Sequence, residues 1–69
     1  LHSDKIEIYA NLFWTRNKYG EMDEYQKMAV LHSLEAVNSK QLERYIEMAI
    51  DDGRPHLVKY AKGIEGKKN

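Results

Sequence analysis

Residues 23–37 read DEYQKMAVLHSLEAV, and this stretch decides the fold because it predicts a helix with apolar side chains on two sides. Asp23 and Gln26 have the spacing of a capping box, in which each side chain accepts a hydrogen bond from the backbone N–H group of the other residue. At about 100° per residue, one face holds Met22, Tyr25, Met28, Ala29, His32 and Ala36, and a second, roughly opposite face holds Val30, Leu34 and Val37. A helix that is covered on one side needs only one such face. This helix is therefore either central in its own fold or in contact with a second copy of the chain.

Helix caps and breakers predict further helices on both sides of this stretch. The first covers about residues 4–18, and the third covers about residues 39–51. Gly53 ends the third helix. Pro55 then suits the first turn of a short fourth helix, which ends near residue 62, because proline lacks the N–H group that would be unpaired there. Alternatively, the third helix continues past a kink at Gly53. We expect an all-α fold of three to four helices.

The chain has 69 residues and no cysteine, which limits the ways in which it can be stabilised. A domain of this size buries only about 60% of the surface that its unfolded chain exposes, so its core is marginal. Disulfides are excluded, the three histidines lack the spacing of a metal site, and no cofactor is expected. A partner subunit is then the expected source of added stability.

The formal net charge is zero, but the charges are distributed unevenly. Residues 53–69 contain five basic residues and one acid, which gives a net charge of +4. Residues 1–52 contain six basic residues and ten acids, which gives −4. Local charge rather than total charge attracts a polyanion to a surface. The sequence therefore predicts a phosphate-binding site in the C-terminal segment.

The candidate nucleic-acid-binding residues all lie in this segment. A helix that begins at residue 55 would direct free backbone N–H groups at whatever lies before it, and Arg54 and His56 flank that point. Helix N-termini bind phosphate readily. Lys59 and Lys62 follow three residues apart on one face. Tyr60 could stack on a base, although its position also fits packing in the core. The full candidate set is Arg54, His56, Lys59, Tyr60, Lys62, Lys67 and Lys68, with an idle solvated tail as the alternative for the last two.

A second group of candidates concerns contact between two copies of the chain. Trp14 is most often a core residue, but tryptophan is also enriched where proteins meet. The candidate dimer interface combines it with the second face of the helix over residues 23–37 and consists of Trp14, Val30, Leu34 and Val37. His32, on the first face, is expected to be a core histidine with a hydrogen bond. We expect dimerisation through the first and second helices or the second and third.

Two other classes of function fit the sequence less well. Catalysis is not expected, because the chain offers no activated nucleophile and no glycine-rich phosphate loop. The second and third helices could form a helix-turn-helix, but the outward positions of the third carry acids that would repel the phosphates of a DNA groove. The leading alternative to DNA binding is a small helical protein–protein interaction module or regulator with no nucleic-acid role.

Three stretches of the chain carry a resemblance to a known family: IYANLFW at residues 8–14, RNKYG at 16–20 and RPHLVKY at 54–60. With the two-faced second helix, they look like the soluble C-terminal domain of the membrane-anchored DNA replication organiser proteins of phi29-type phages, over nearly the whole chain. The resemblance implies a homeodomain-related helical domain that forms an intertwined or packed homodimer and assembles further. It also implies binding of single- and double-stranded DNA without sequence preference, and binding of the phage terminal protein.

The resemblance further implies parts of a parent protein that lie outside these 69 residues. An N-terminal membrane span and a coiled coil would hold the domain in the host cytoplasm, at the inner face of the cell membrane. We accordingly interpret residues 4–62 as a helical DNA-binding and dimerisation domain. Residues 1–3 are interpreted as a cloning remnant or linker, and residues 63–69 as a basic mobile tail.

Overall fold

Four α-helices make up the fold in a computed structural model, which describes residues 2–15, 18 and 20–67, with side chains from residue 5 onward. They are α1 (His2–Phe13), α2 (Glu24–Ala36), α3 (Leu42–Asp52) and α4 (Pro55–Lys67). Within these residues there is no strand, which confirms the predicted all-α class. None of the described helices combines the length and the apolarity that crossing a membrane requires. The homeodomain relation and the dimer remain predictions.

The helix α2 lies at the centre of the fold and packs against each of the other three helices. Its predicted capping box is confirmed, since Asp23 Oδ1 accepts a hydrogen bond of 2.8 Å from Gln26 N and Gln26 Oε1 accepts one of 2.8 Å from Asp23 N. Val30 and Leu34 of the second predicted face are buried in the core. The central position of α2 therefore accounts for this face without a second copy of the chain.

The first predicted face of α2 is mostly exposed, and the expectation that His32 on this face is a core residue is wrong. Of its residues, Met22 is buried and Met28 is half-buried, whereas Tyr25, Ala29, His32 and Ala36 are exposed. Lys27 and Leu31 of α2 are buried instead, so these two residues lie on the side of the helix that faces the core. A helical wheel treats lysine as polar, but a lysine stem can be buried when acids pair with its ammonium group.

The helix α4 continues to Lys67, through the segment predicted to be a mobile tail. Leu57, Ala61 and Ile64 follow at four- and three-residue spacing and form one buried stripe. Burying an isoleucine stabilises a fold by about 1.5–3 kcal/mol. This gain offsets the cost of about 1 kcal/mol for a glycine inside a helix. Residue 62 is therefore not the end of the helix, and Lys68 lies outside the described residues.

The helix α1 ends at Phe13, earlier than the predicted residue 18. Side-chain hydrogen bonds connect it to α3 and to the preceding turn, because Ser39 Oγ donates to the carboxylate of Glu7 and the Tyr45 hydroxyl donates to the side-chain oxygen of Asn11. These two contacts fix the direction of α1 across the bundle.

Three of the four candidate dimer residues belong to the core of the single chain. Trp14 is 3% exposed, and its ring meets the ring of Tyr45 edge to face at a centroid distance of 5.0 Å. Val30 and Leu34 are also buried, and Val37 is half-buried. The folded chain therefore leaves almost no area of Trp14, Val30 or Leu34 for a partner, which corrects their assignment to a surface.

A network of four charged side chains joins α2 to the start of α4. Lys27, only 3% exposed, places Nζ 2.8 Å from Asp52 Oδ2 and 3.1 Å from Glu21 Oε2. Arg54 Nε lies 2.7 Å from Asp52 Oδ1. The hydrogen bonds from Arg54, together with those from Lys27, hold the pKa of the Asp52 carboxyl well below its usual value. Asp52 is therefore ionised and holds two cations of the chain.

Candidate nucleic-acid interface

The predicted basic site divides into cations that the protein neutralises and cations that it does not. Arg54 belongs to the first group, because its guanidinium meets both carboxylate oxygens of Asp52, at 2.7 Å from Nε and 3.0 Å from Nη2. Its Nη2 also donates to the backbone oxygen of Met22 at 3.2 Å. Arg54 therefore holds the fold together, and the prediction of Arg54 as a phosphate ligand does not fit its position.

The N-terminus of α4 is already occupied by a carboxylate of the chain itself. Glu24 Oε2 accepts hydrogen bonds from the backbone N–H groups of His56 at 3.2 Å and Leu57 at 3.4 Å. Glu24 Oε1 lies 3.2 Å from Nδ1 of the His56 ring. A carboxylate at this end of a helix satisfies unpaired N–H groups and favours the helix dipole. The free N–H groups predicted here for phosphate are thus not free, and His56 is paired with an acid.

This cap predicts a loss of stability when the carboxylate is removed. Replacing Glu24 with Gln should lower the free energy of unfolding by about 1 kcal/mol, because the amide keeps one accepting oxygen but loses the negative charge that favours the N-terminus of α4. For a domain of this size, the midpoint of thermal unfolding should fall by roughly 4–8 °C. The matched control is Glu47→Gln, an exposed acid on α3. Equal melting temperatures of the two variants by circular dichroism would contradict the cap.

A groove of about 330 Å³ lies between α2 and α4. It is lined by Met28, His56, Lys59, Tyr60, Gly63, Ile64 and Lys67. The α4 members recur every three or four residues, which places them on one side of that helix. Four of the seven predicted nucleic-acid-binding residues therefore line one groove: His56, Lys59, Tyr60 and Lys67. We call this feature the α2–α4 groove.

Three lysines of α4 remain available to a ligand. Lys59, Lys62 and Lys67 are exposed, and their side chains form no ion pair or hydrogen bond with another residue in the described part of the chain. We call these three side chains the lysine face. Glu65 is the acid of the same helix segment, so the lysine face keeps a positive excess. Such a local excess attracts anions although the chain as a whole is neutral.

Aromatic rings accompany the lysines along the groove. Tyr60 is half-buried, and its hydroxyl lies 3.4 Å from Nδ1 of His32, which is exposed rather than a core residue as predicted. Burial, with Glu35 nearby, raises the pKa of Tyr60, so its hydroxyl stays neutral beside the lysines. At the other end, the rings of Tyr25 and His56 lie 5.7 Å apart. The groove thus combines apolar rings with positive charge.

The sequence did not predict that Tyr25 and Met28 of α2 lie beside the basic residues of α4. Both residues were placed on the first face of α2, but no neighbouring helix was assigned to that face. The signal that was present is their spacing of three residues, which gives them a common side of the helix. That this side meets α4 follows from tertiary packing alone.

Comparison with known proteins gives no match to this chain among protein families, curated proteins or solved structures. The described residues contain no group of three histidine, aspartate or glutamate side chains that could hold a metal ion. The lysine face and the α2–α4 groove are accordingly the features of the described residues that point to a function.

Proposed function

We propose that this chain binds the phosphates of nucleic acids through the lysine face of α4, without sequence preference. The observation that supports this most strongly is that Lys59, Lys62 and Lys67 are exposed and have no acidic partner among the described residues, whereas Arg54 and His56 are paired with acids. Phosphate contacts of this kind position a protein on a strand but carry no sequence information.

The exposed side of α3 supports phosphate binding over base reading. Glu43, Glu47 and Asp51 are exposed on this helix. Carboxylates at these positions would face the phosphates on both sides of a DNA groove, and like charges repel. A recognition helix of the helix-turn-helix type needs the opposite charge pattern, because it must approach the backbone closely.

The resemblance to the replication organiser proteins of phi29-type phages extends the proposal. In that role, the domain binds single- and double-stranded DNA, a second copy of itself and the phage terminal protein, and it helps to organise phage DNA replication. A membrane anchor outside these 69 residues would hold it at the inner face of the host membrane. A two-fold axis would bring two lysine faces to one surface, which doubles the charge that a strand meets. The role is one of binding rather than catalysis.

The test is a fluorescence anisotropy titration with two oligonucleotides of unrelated sequence, each as a single strand and as a duplex. We expect the affinities for the two sequences to agree within about threefold, since specific sites typically exceed non-specific ones by a factor of about 10³ or more. A large preference for one sequence, or no binding at low salt, would contradict the proposal.

An exposed apolar surface on α1 favours a second candidate function, that of a protein interaction module. Ile8, Tyr9 and Leu12 lie on one side of this helix, with 57%, 45% and 60% of their surface exposed. Contiguous exposed apolar residues are typical of protein–protein contacts. In this account a second copy is the partner, and Ile8→Lys should shift the sedimentation of the chain toward the monomer. A sedimentation profile that is the same for the wild-type chain and the Ile8→Lys variant would exclude α1 as the contact.

A further inference from the structure

The floor of the α2–α4 groove is apolar and includes an aromatic ring. Ile64 is 2% exposed, and Met28 and Tyr60 are half-buried and pack against the core. Flat ring systems pack favourably on tyrosine, and they also contact methionine sulfur favourably. A flat, largely apolar ligand is therefore the kind that this floor can hold.

The sides of the groove add positive charge near both ends of that floor. Lys59 and Lys67 line it and are separated by eight residues, which is about 12 Å along the helix axis. A ligand that satisfies both lysines carries an anion on each side of its flat part. One nucleotide within a strand supplies both parts, because its base projects from the backbone between two successive phosphates, which long lysine side chains on one side of α4 can reach. A fatty acid carries its charge at one end, and an acidic peptide presents a flat ring between its charges only where it includes an aromatic residue.

We infer that the α2–α4 groove accepts one unpaired nucleobase of a single strand. This inference rests on the proposed phosphate binding and adds the base to it. The base stacks on Tyr60, and the flanking phosphates meet Lys59 and Lys67. In a duplex the bases are stacked and paired, so a duplex contacts the lysine face alone. Stacking on an aromatic residue strengthens binding by roughly 5-fold or more per base.

An abasic strand separates the two contributions, because it has the phosphates of a normal strand without the bases. The wild-type chain should bind a fluorescein-labelled thymidine oligonucleotide about 5-fold or more tightly than an abasic strand of equal length, at the same salt concentration. A duplex should gain nothing from base stacking in the groove. Its affinity, divided by the number of phosphates that it offers, should therefore be close to that of the abasic strand.

The chain offers a matched pair of glycines for blocking the groove. Gly63 lines the groove and Gly66 does not, and both lie within α4. A Cβ atom added at either glycine would meet no atom within 4 Å, so a side chain can start at both positions without a backbone clash. Leucine also favours the helix over glycine. Gly63→Leu should fill the groove, whereas Gly66→Leu adds the same side chain outside it.

We expect Gly63→Leu to reduce the affinity for the thymidine strand to that for the abasic strand, while Gly66→Leu leaves it unchanged. Equal affinity of the wild-type chain for both strands, or equal losses in the two variants, would overturn base insertion and leave phosphate binding in place. Loss of binding to phosphatidylglycerol vesicles in Gly63→Leu alone would assign the groove to lipid and overturn the inference. Absence of binding to any strand would overturn both the inference and the proposed function.

Discussion

Reversing two charges of the lysine face should weaken nucleic-acid binding by roughly 10- to 100-fold. In the Lys59→Glu/Lys62→Glu variant, two attractive contacts with phosphate become repulsive, and each exposed contact is worth up to about 1 kcal/mol. Neither lysine side chain has a partner among the described residues, so the free energy of unfolding should stay within about 0.5 kcal/mol of the wild type. Anisotropy titrations with one single strand and one duplex measure the effect.

The control for this variant changes the total charge by the same amount at a different place. Lys5 on α1 and Lys40 before α3 are exposed. The Lys5→Glu/Lys40→Glu variant should therefore lose much less affinity, because its changed charges lie away from the lysine face. Equal losses in both variants would mean that total charge determines binding, and they would contradict the assignment to α4.

Replacing Asp52 with Asn should lower the free energy of unfolding by about 3 kcal/mol. Asp52 is the common partner of Lys27 and Arg54, and Lys27 is buried. Without Asp52, the buried ammonium group of Lys27 keeps only the exposed Glu21 as a partner, and losing the closer partner of a buried charge is far more costly than replacing the whole pair. For a domain of this size, the midpoint of thermal unfolding should fall by roughly 10–20 °C. Urea unfolding followed by circular dichroism measures the change.

The Lys27→Met variant serves as the comparison for Asp52→Asn, because it removes the cation and keeps the carboxylate. In that variant Asp52 keeps both hydrogen bonds from Arg54, and methionine fills the space of the lysine stem. The cost should therefore be about 1 kcal/mol, since a volume-conserving change leaves no buried charge unpaired. A larger loss in Lys27→Met than in Asp52→Asn would contradict this description of the network.

The Asp52 carboxylate should also make the free energy of unfolding depend on pH. Hydrogen bonds from Arg54, with those from Lys27, lower the pKa of Asp52 in the folded chain, whereas an aspartate in the unfolded chain titrates near about 3.9. The contribution of Asp52 is therefore complete above about pH 5 and is lost as the pH falls toward its lowered pKa. We expect the stability difference between the wild type and Asp52→Asn to narrow between about pH 5 and pH 2. A constant difference would contradict the ionised network.

The sequence predicted which segments form helices better than it predicted which side of each helix is buried. The capping box at Asp23 and the glycine after α3 depend on a few neighbouring residues, and both appear where they were expected. The burial of Lys27 depends on Asp52, which is 25 residues away along the chain. Similarly, the cap of α4 comes from Glu24 on another helix. Such contacts are set by tertiary packing, and local spacing does not contain them.

The candidate site was predicted in composition but not in arrangement. The positive excess after residue 52 pointed to the segment that carries the lysine face, because charge is read directly from residue type. The same count included Arg54, whose charge is neutralised by an ion pair with Asp52. The tail was predicted to be mobile, but residues 63–67 continue α4, since the burial of Ile64 outweighs the cost of Gly63 and Gly66 in a helix. Charge counting therefore identifies the segment, and the fold decides which of its cations are available.

The salt dependence of duplex binding tests the central claim most directly. Each phosphate that a lysine neutralises contributes about −0.9 to the slope of log affinity against log salt concentration. Three lysines on each chain predict a slope of roughly −2.7 per chain. For a dimer, we expect the slope to be steeper than about −2. The slope of Lys59→Glu/Lys62→Glu should be about 1.8 units shallower. A wild-type slope near zero, or the same slope in the variant, would show that the lysine face does not bind phosphate.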